Sequence, residues 1–337
     1  MPSDATRPPV LVTGAAGFIG SHVTRALLAR GRQVVALDDL SGGLRDHVDP
    51  RATFVEGSIV DGALLDRLFD DHRFGEVFHL AAFAAEGLSH FVRRFNYQNN
   101  LIGSVNLINA AIRHEVGCFV FTSSMAVYGR ATPPATEDMP YAPEDPYGVA
   151  KAAVEQDLRA ARDVFGMRSI IVRPHNVYGE GQNIADRYRN VVGIFMNQIL
   201  RDEPLTIFGD GSHTRAFSYV GDVAPVIADL IDQPAAFDQI INVGGDRVVS
   251  IRQLGEMVSE AMGVPFRARY LPERIEVAHI YPSHAKARAL LGYEARTELE
   301  VGLRTMAAWV RSRGACATPA YARIEVERNL PARWREP

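Results

Sequence analysis

The sequence predicts an α/β protein: a Rossmann-type doubly wound parallel sheet with a smaller mixed α/β region beside it. Short apolar runs alternate with amphipathic stretches of helical length, the pattern of parallel strands joined by right-handed crossovers. Three glycines spaced three apart stand at the first strand-to-helix junction, and an aspartate closes the second apolar run. In such a sheet ligands sit at the carboxyl ends of the strands.

The first strand is the run Val10 to Val12. It meets Gly14, Gly17 and Gly20, which open a helix from Phe18 to Arg30. Glycines let the backbone approach a pyrophosphate closely, and the free N–H groups and positive end of the helix attract it. The loop that brings Gly14, Gly17, Phe18, Ile19 and Gly20 together therefore reads as a dinucleotide cradle. A glycine triplet alone also serves ordinary strand-to-helix turns; what adds weight is Asp38, at the end of the second run Val34 to Leu37 and about eighteen residues past Gly20, where a ribose-binding acid belongs. A carboxylate there accepts both ribose hydroxyls and repels a 2′-phosphate, and no arginine follows before Arg45, so the expected cofactor is NAD.

The alternation continues. Strands are expected at Thr53 to Glu56, Val77 to Leu80, Cys118 to Thr122 and Ser169 to Val172, with helices at Ala63 to Phe69, Phe95 to Glu115 and Tyr147 to Phe165. Pro174 to Tyr188 is polar and irregular. A helix from Asn190 to Leu200 follows, then strands at Leu205 to Phe208 and Ala216 to Tyr219. Ala224 to Ile231 and Ile240 to Val243 return to the main sheet, and residues beyond Val248 form a smaller mixed region. This gives an interleaved division: 1–180 with 216–246 for the dinucleotide, and 181–215 with 247–337 for a second ligand.

Composition bounds the partners. The 337 residues are 47% hydrophobic with a net charge of −4, ample for a core and without the basic stripe that nucleic acid requires. Cys118 and Cys316 lie far apart and suggest no disulfide framework, which fits a reducing compartment. No signal peptide and no apolar stretch of bilayer length are read, so a soluble, cytoplasmic protein without a membrane partner is expected. No metal site is expected.

Tyr147 and Lys151 stand four apart, on one face of the predicted helix. A free tyrosine titrates near ~10, and bringing it to neutrality takes about 4 kcal/mol, which a neighbouring ammonium and a cationic nicotinamide could supply. Tyr147 would then serve as a general base. By itself the pair is ordinary helical spacing. Thr122-Ser123-Ser124 adds hydroxyls at the end of a buried strand, on the ligand side, and Ser124 is the candidate to hold a substrate oxygen against Tyr147.

These residues resemble the extended short-chain dehydrogenase/reductases, in the branch of NAD-dependent nucleotide-sugar epimerases and dehydratases, with a likeness to UDP-glucose 4-epimerases. The resemblance rests on Thr13-Gly-Ala-Ala-Gly-Phe-Ile-Gly20, His79-Leu-Ala-Ala82, Ser123-Ser-Met-Ala-Val-Tyr-Gly129, Tyr147-x-x-x-Lys151, Arg173-Pro-His-Asn-Val-Tyr-Gly179 and Phe208-Gly-Asp-Gly-Ser-His-Thr-Arg215. It implies catalytic roles for Ser124, Tyr147 and Lys151, and NAD contacts at Leu80, Ala81, Asn100, Tyr147 and Lys151, with Ser58-Ile59 at the adenine where relatives carry Asp-Ile. For the substrate it implies Ser124, Tyr147, Asn176 and Asn190, with Arg215 and Arg274 on the nucleotide diphosphate. A homodimer through the helices Phe95–Glu115 and Tyr147–Phe165 is implied as well.

The shared first step is oxidation at C4 of the sugar. Dehydratases resembling this chain carry Asp and Glu just after the position of Ser124, decarboxylases carry a Glu there, and GDP-mannose 3,5-epimerases carry a Cys at what is here Ala126. Met125 and Ala126 move no proton. The expected reaction is therefore C4 epimerisation, with UDP-glucose/UDP-galactose as the leading pair. UDP-glucuronate is the rival, because Arg187, Arg189 and His175 could meet an anionic sugar. The chain departs from the family at Ala84, where many UDP-galactose 4-epimerases have Lys, in the run Ala85 to His90, and in the loop Glu180 to Arg189. A dinucleotide-binding regulatory protein is the non-enzyme alternative, but such a protein would be expected to lose Ser124, Tyr147 or Lys151.

Overall fold

The structure is a computed structural model that describes residues 7–273, 277–318, 321, 323–331 and 334. Its centre is a seven-stranded parallel sheet of β1 (Val10–Thr13), β2 (Val34–Asp38), β3 (Thr53–Glu56), β4 (Glu76–His79), β5 (Cys118–Thr122), β6 (Ser169–Pro174) and β7 (Ile240–Val243), in the order β7-β6-β5-β4-β1-β2-β3. Strand order reverses between β1 and β4, which lie side by side with Val10 opposite Glu76 and Thr13 opposite His79. This is the switch point at which a doubly wound sheet opens a crevice. Both faces are covered. Val12, Phe78, Val120 and Ile170 pack on one side, and Leu11, Val77, Phe119 and Ile171 on the other. Fully buried strands explain why the runs are continuously apolar rather than alternating.

Helices α1 (Phe18–Ala29), α2 (Gly62–His72), α3 (Gly103–Arg113), α4 (Pro146–Phe165) and α5 (Val220–Asp229) flank the sheet. Helix α2 outruns the expected Ala63–Phe69 because the Asp61 side chain accepts from Leu64 N at its start, while Arg73 takes the left-handed conformation that ends it. The single helix expected over Phe95–Glu115 is three pieces: Arg93–Tyr97, a π turn at Gln98–Ile102, and α3. The wider turn carries Asn100 inward, where its carboxamide accepts from Phe83 N at 2.7 Å and donates to Phe83 O at 3.0 Å. The strand expected at Ala216–Tyr219 is split around Phe217. Thr214–Ala216 pairs with Val248–Ser250 and His279–Ile280, whereas Ser218–Tyr219 pairs with Val177–Tyr178.

A second core, with Phe195, Ile207, Leu254 and Leu303 at its centre, lies among the helices Val191–Leu200, Ile251–Ala261 and Leu299–Arg313. Ala287 and Tyr293, although far along the chain, are buried in the main core beside β7. Among the described residues no helix is long and apolar enough to cross a membrane.

Candidate active site

One large cavity, about 790 Å³, runs along the carboxyl ends of the strands. Its cofactor end is made by the first glycine turn. Gly14 has φ +70°, and a Cβ there would lie 2.6 Å from Ala81 N, so β1 and the loop after β4 touch backbone to backbone. A Cβ at Gly20 would lie 2.0 Å from Gly14 O, which is why the helix can start so close to the turn. Thr13 and β4 are pinned by His79, whose ring nitrogens pair with Thr13 Oγ1 and Ser104 Oγ, both at 2.8 Å. Burial pushes His79 down to about 3, and the positive charge of Lys151 adds to this.

Asp38 closes this end. Its carboxylate accepts from Ala16 N at 2.9 Å and Leu40 N at 2.8 Å; burial raises its pKa and these two bonds oppose the rise. Arg45, the first arginine downstream, is turned away, paired with Glu56 at 2.9 Å and stacked over Phe54. The carboxylate here suits two ribose hydroxyls and opposes the charge of a 2′-phosphate. Gln182, missed by sequence reasoning, lines the same cavity, is 3% exposed, and has an amide with no hydrogen bond among the described residues. A buried donor and acceptor of that kind is costly unless a ligand satisfies it. The glycine cradle and Asp38 together fit a dinucleotide.

The chemical centre is where β5 meets α4. Asp145 caps α4 by accepting from Gly148 N at 2.9 Å, and Pro146 fills the first helical position, so Tyr147 and Lys151 project on one face toward the end of β5. Ser124 begins a short turn, its Oγ accepting from Ala126 N at 3.1 Å, and its hydroxyl acts to lower the pKa of the Tyr147 phenol. Lys151 is buried and donates to Thr122 O at 2.7 Å, with its nitrogen 4.6 Å from the Phe121 ring centre and 5.8 Å from that of Tyr147.

Among the chain's own groups, Lys151 is not one of the charges that move the Tyr147 phenol most. Burial and the charge of Glu86 push Tyr147 well above its ordinary value, with Asp145 adding to them, against the Ser124 hydroxyl and Arg189. Lys151 is itself the shifted group, brought down to about 7 by burial against the opposing charge of Glu155. Behind the site Glu155 takes Arg173 Nε at 2.9 Å and Nη2 at 2.5 Å, and also accepts from Tyr141 at 3.0 Å and from Ser123 Oγ. Arg173 and Glu155 are almost wholly buried. Burial opposes the Arg173 charge, but the bonds to Glu155 more than compensate and hold its pKa above the ordinary value.

Nearly all the residues singled out in the sequence line this cavity: Gly14, Gly17, Phe18, Ile19, Gly20, Asp38, Ser58, Ile59, Leu80 and Ala81 at one end, Ser124, Tyr147 and Lys151 in the middle, and Asn176, Asn190 and Arg215 beyond them. Asn176 and Asn190 hold positive φ, 38° and 62°, and Asn176 donates to Ala216 O at 2.8 Å. Arg215 donates to Thr214 O at 2.9 Å and Ala278 O at 2.8 Å. Asn100 is the exception: its side chain is spent on Phe83 and Asn96, and it stands behind the wall rather than in it. Arg274 lies outside the described residues.

His175 is also not in the cavity. It is 2% exposed, stacked on His284 at 5.1 Å, and held below its ordinary pKa, at about 3, by burial with the His284 charge adding. Arg187 and Arg189 do line the cavity, but Arg187 donates to Thr318 O and Arg189 pairs with Asp186. Beside Gln182, sequence reasoning missed Tyr188, Thr318 and Trp334, which line the same space. An isolated aromatic in a charged C-terminal stretch gives no local signal of a site.

The profile of the NAD dependent epimerase/dehydratase family matches residues 10–244. The UDP-glucose 4-epimerase of Mycolicibacterium smegmatis is 36% identical over 313 residues, which cover 90% of this chain and 98% of that protein. Among solved structures, the Thermotoga maritima UDP-glucose 4-epimerase with UDP-glucose is similar at a TM-score of 0.87 and 34% identity, covering 90% of this chain and 99% of that one. The Thermus thermophilus UDP-glucose 4-epimerase in complex with NAD is similar at 0.84 and 33%, with the same coverage. A dinucleotide cradle, a Ser–Tyr–Lys centre in the same cavity and a match over most of the chain converge: the protein belongs to the NAD-dependent epimerase/dehydratase family of enzymes.

Proposed function

We propose that the protein interconverts the C4 epimers of a UDP-hexose, UDP-glucose and UDP-galactose, through a transient 4-keto sugar. The observation that carries this reading is the meeting of Ser124, Tyr147 and Lys151 beside the dinucleotide cradle, with the apolar Met125 and Ala126 in the positions where an eliminating enzyme needs a proton carrier. The named relatives support the same activity. When bound, NAD supplies an acceptor and later a donor of hydride at C4 and a positive ring near Tyr147.

The chain's own residues do the rest. Tyr147 takes the proton of the 4-hydroxyl and later returns one. Ser124 holds that oxygen against the phenol. Lys151, anchored on Thr122 O, holds positive charge behind them. Asn176, Asn190 and Arg215 contact the substrate, and Arg215 and Arg274 take its diphosphate. Residues 1–180 with 216–246 serve the cofactor, and 181–215 with 247–337 the nucleotide sugar. A neutral hexose is favoured over glucuronate because Arg189 is paired with Asp186 and His175 is buried away from the cavity.

A cytoplasmic homodimer completes the reading. Two cysteines without a disulfide suit a reducing compartment, and Val149, Val164 and Phe165 on α4 with Ile102 beside α3 leave apolar surface exposed. The test is incubation with UDP-glucose, UDP-galactose and UDP-glucuronate in turn, with and without added NAD, and separation of the products. Interconversion of the hexose pair alone is expected. Turnover of UDP-glucuronate alone, or of none, would overturn the hexose assignment.

A further inference from the structure

Beyond the helix Leu299–Arg313, Thr318 and Trp334 line the cavity. Glu325 caps the helical turn at Arg93–Tyr97, its carboxylate accepting from Arg94 N at 2.7 Å and Phe95 N at 2.9 Å. Tyr321 N donates to Tyr188 OH at 2.8 Å, and Thr318 O accepts from Arg187. The returning chain is thus fastened to two stretches, one following β4 and one between β6 and the helix Val191–Leu200. These include the run Ala85–His90 and the loop Glu180–Arg189, two of the places where the chain departs from the family pattern.

Trp334 is the inner end of this strap. It is 5% exposed, lines the cavity that holds Tyr147, and stands edge-on to Tyr188 at 5.1 Å and to Phe91 at 5.9 Å. A Cβ at Gly87 would lie 3.2 Å from its ring, so the indole rests on the turn that carries Glu86. We infer that Thr318 and Trp334 stand in the outer wall of the sugar subsite and that Trp334 is a specificity-determining residue, selecting sugars by the room left between its indole and Tyr147. The inference rests on the nucleotide-sugar reading of the site. An indole gives a pyranose an apolar surface and one N–H donor, and its fixed bulk excludes ring substituents that a smaller side chain would admit.

The chain has two tryptophans, Trp309 and Trp334, and Trp309 packs in the second core. A Trp309→Phe enzyme therefore carries one reporter, at the proposed wall. Its emission is recorded with UDP alone and with UDP-glucose, UDP-glucuronate, UDP-N-acetylglucosamine and dTDP-glucose. The expected result is a shift with at least one nucleotide sugar that UDP does not produce. In the otherwise unaltered enzyme, Trp334→Ala should narrow the preference for the hexose over its bulkier 2-acetamido counterpart about tenfold in kcat/KM, the scale at which pocket contacts discriminate small groups, with bound NAD unchanged. Glu325→Gln, away from the cavity, should act in the same direction and less strongly by loosening the strap.

Emission that is silent to every nucleotide sugar, or moves equally with UDP, overturns the inference, as does a Trp334→Ala enzyme whose sugar preference stays within twofold of the parent. Failure of the hexose reading looks different. The unaltered enzyme would then turn over no UDP-hexose, while the emission panel still decides whether Trp334 faces a sugar.

Discussion

The cofactor end of the cavity is built from the first third of the chain, at the ends of β1, β2 and β4, with backbone meeting backbone at Gly14 and Ala81. The end proposed for the sugar draws on the turn after β4, on α4, on the loop before Asn190, on the strand around Arg215 and on Trp334. At the first end the chemistry resides in turn geometry that neighbouring residues dictate. At the second it resides in contacts between side chains far apart in sequence, and the same family fold can be given a different wall without touching its cofactor cradle.

Tyr147→Phe separates the two ends most sharply. Turnover should fall about 10³-fold, within the range for loss of a general acid–base, while NAD content of the purified protein stays at the parent level. Parallel loss of NAD would show that the ends are not separable there. Glu155→Gln attacks the frame behind both. It leaves Arg173 buried with a neutral partner, and denaturant unfolding should show a loss of about 3–5 kcal/mol, because an uncompensated buried charge costs more than the pair itself contributes.

Acid makes a milder test. His79 and His175 titrate at about 3 in the folded chain, so between there and about 6.5 the unfolded chain binds more protons. Stability should therefore fall as pH drops through 6.5, by about 2 kcal/mol for each group between pH 7 and 5, and His79→Gln should flatten the lower part of that curve. A pH-independent stability across that window would break the account of His79 as a neutral pin at the cofactor end. The smallest effect belongs to Asp38→Asn: NAD affinity weakened about tenfold, ~1.4 kcal/mol, with the margin over NADP reduced, as read by cofactor titration.

The legibility of the sequence follows the same division. The parallel sheet, the glycine turn, Asp38 and the Ser124–Tyr147–Lys151 centre could be read because periodicity and short spacing dictate them. The π turn at Gln98–Ile102 could not, since it answers to the Phe83 backbone. The electrostatics of Tyr147 were also hidden: Glu86 lies on another element, and Lys151 spends its donor on Thr122. His175 sits within a recognisable motif but faces His284 in the interior, which only the packing of β6 against the C-terminal region decides. Trp334 has no local pattern at all.

The capping bond from Glu325 to Arg94 spans 231 residues. Every strand of the main sheet, together with the late core residues Ala287 and Tyr293, has by contrast been synthesised before Glu325 is reached. During translation, where units form in the order in which they emerge, the dinucleotide fold can thus settle while the strap is still being made. The enzyme would acquire its cofactor first and its discrimination among sugars last, and a chain stalled in between would be folded, loaded and indiscriminate.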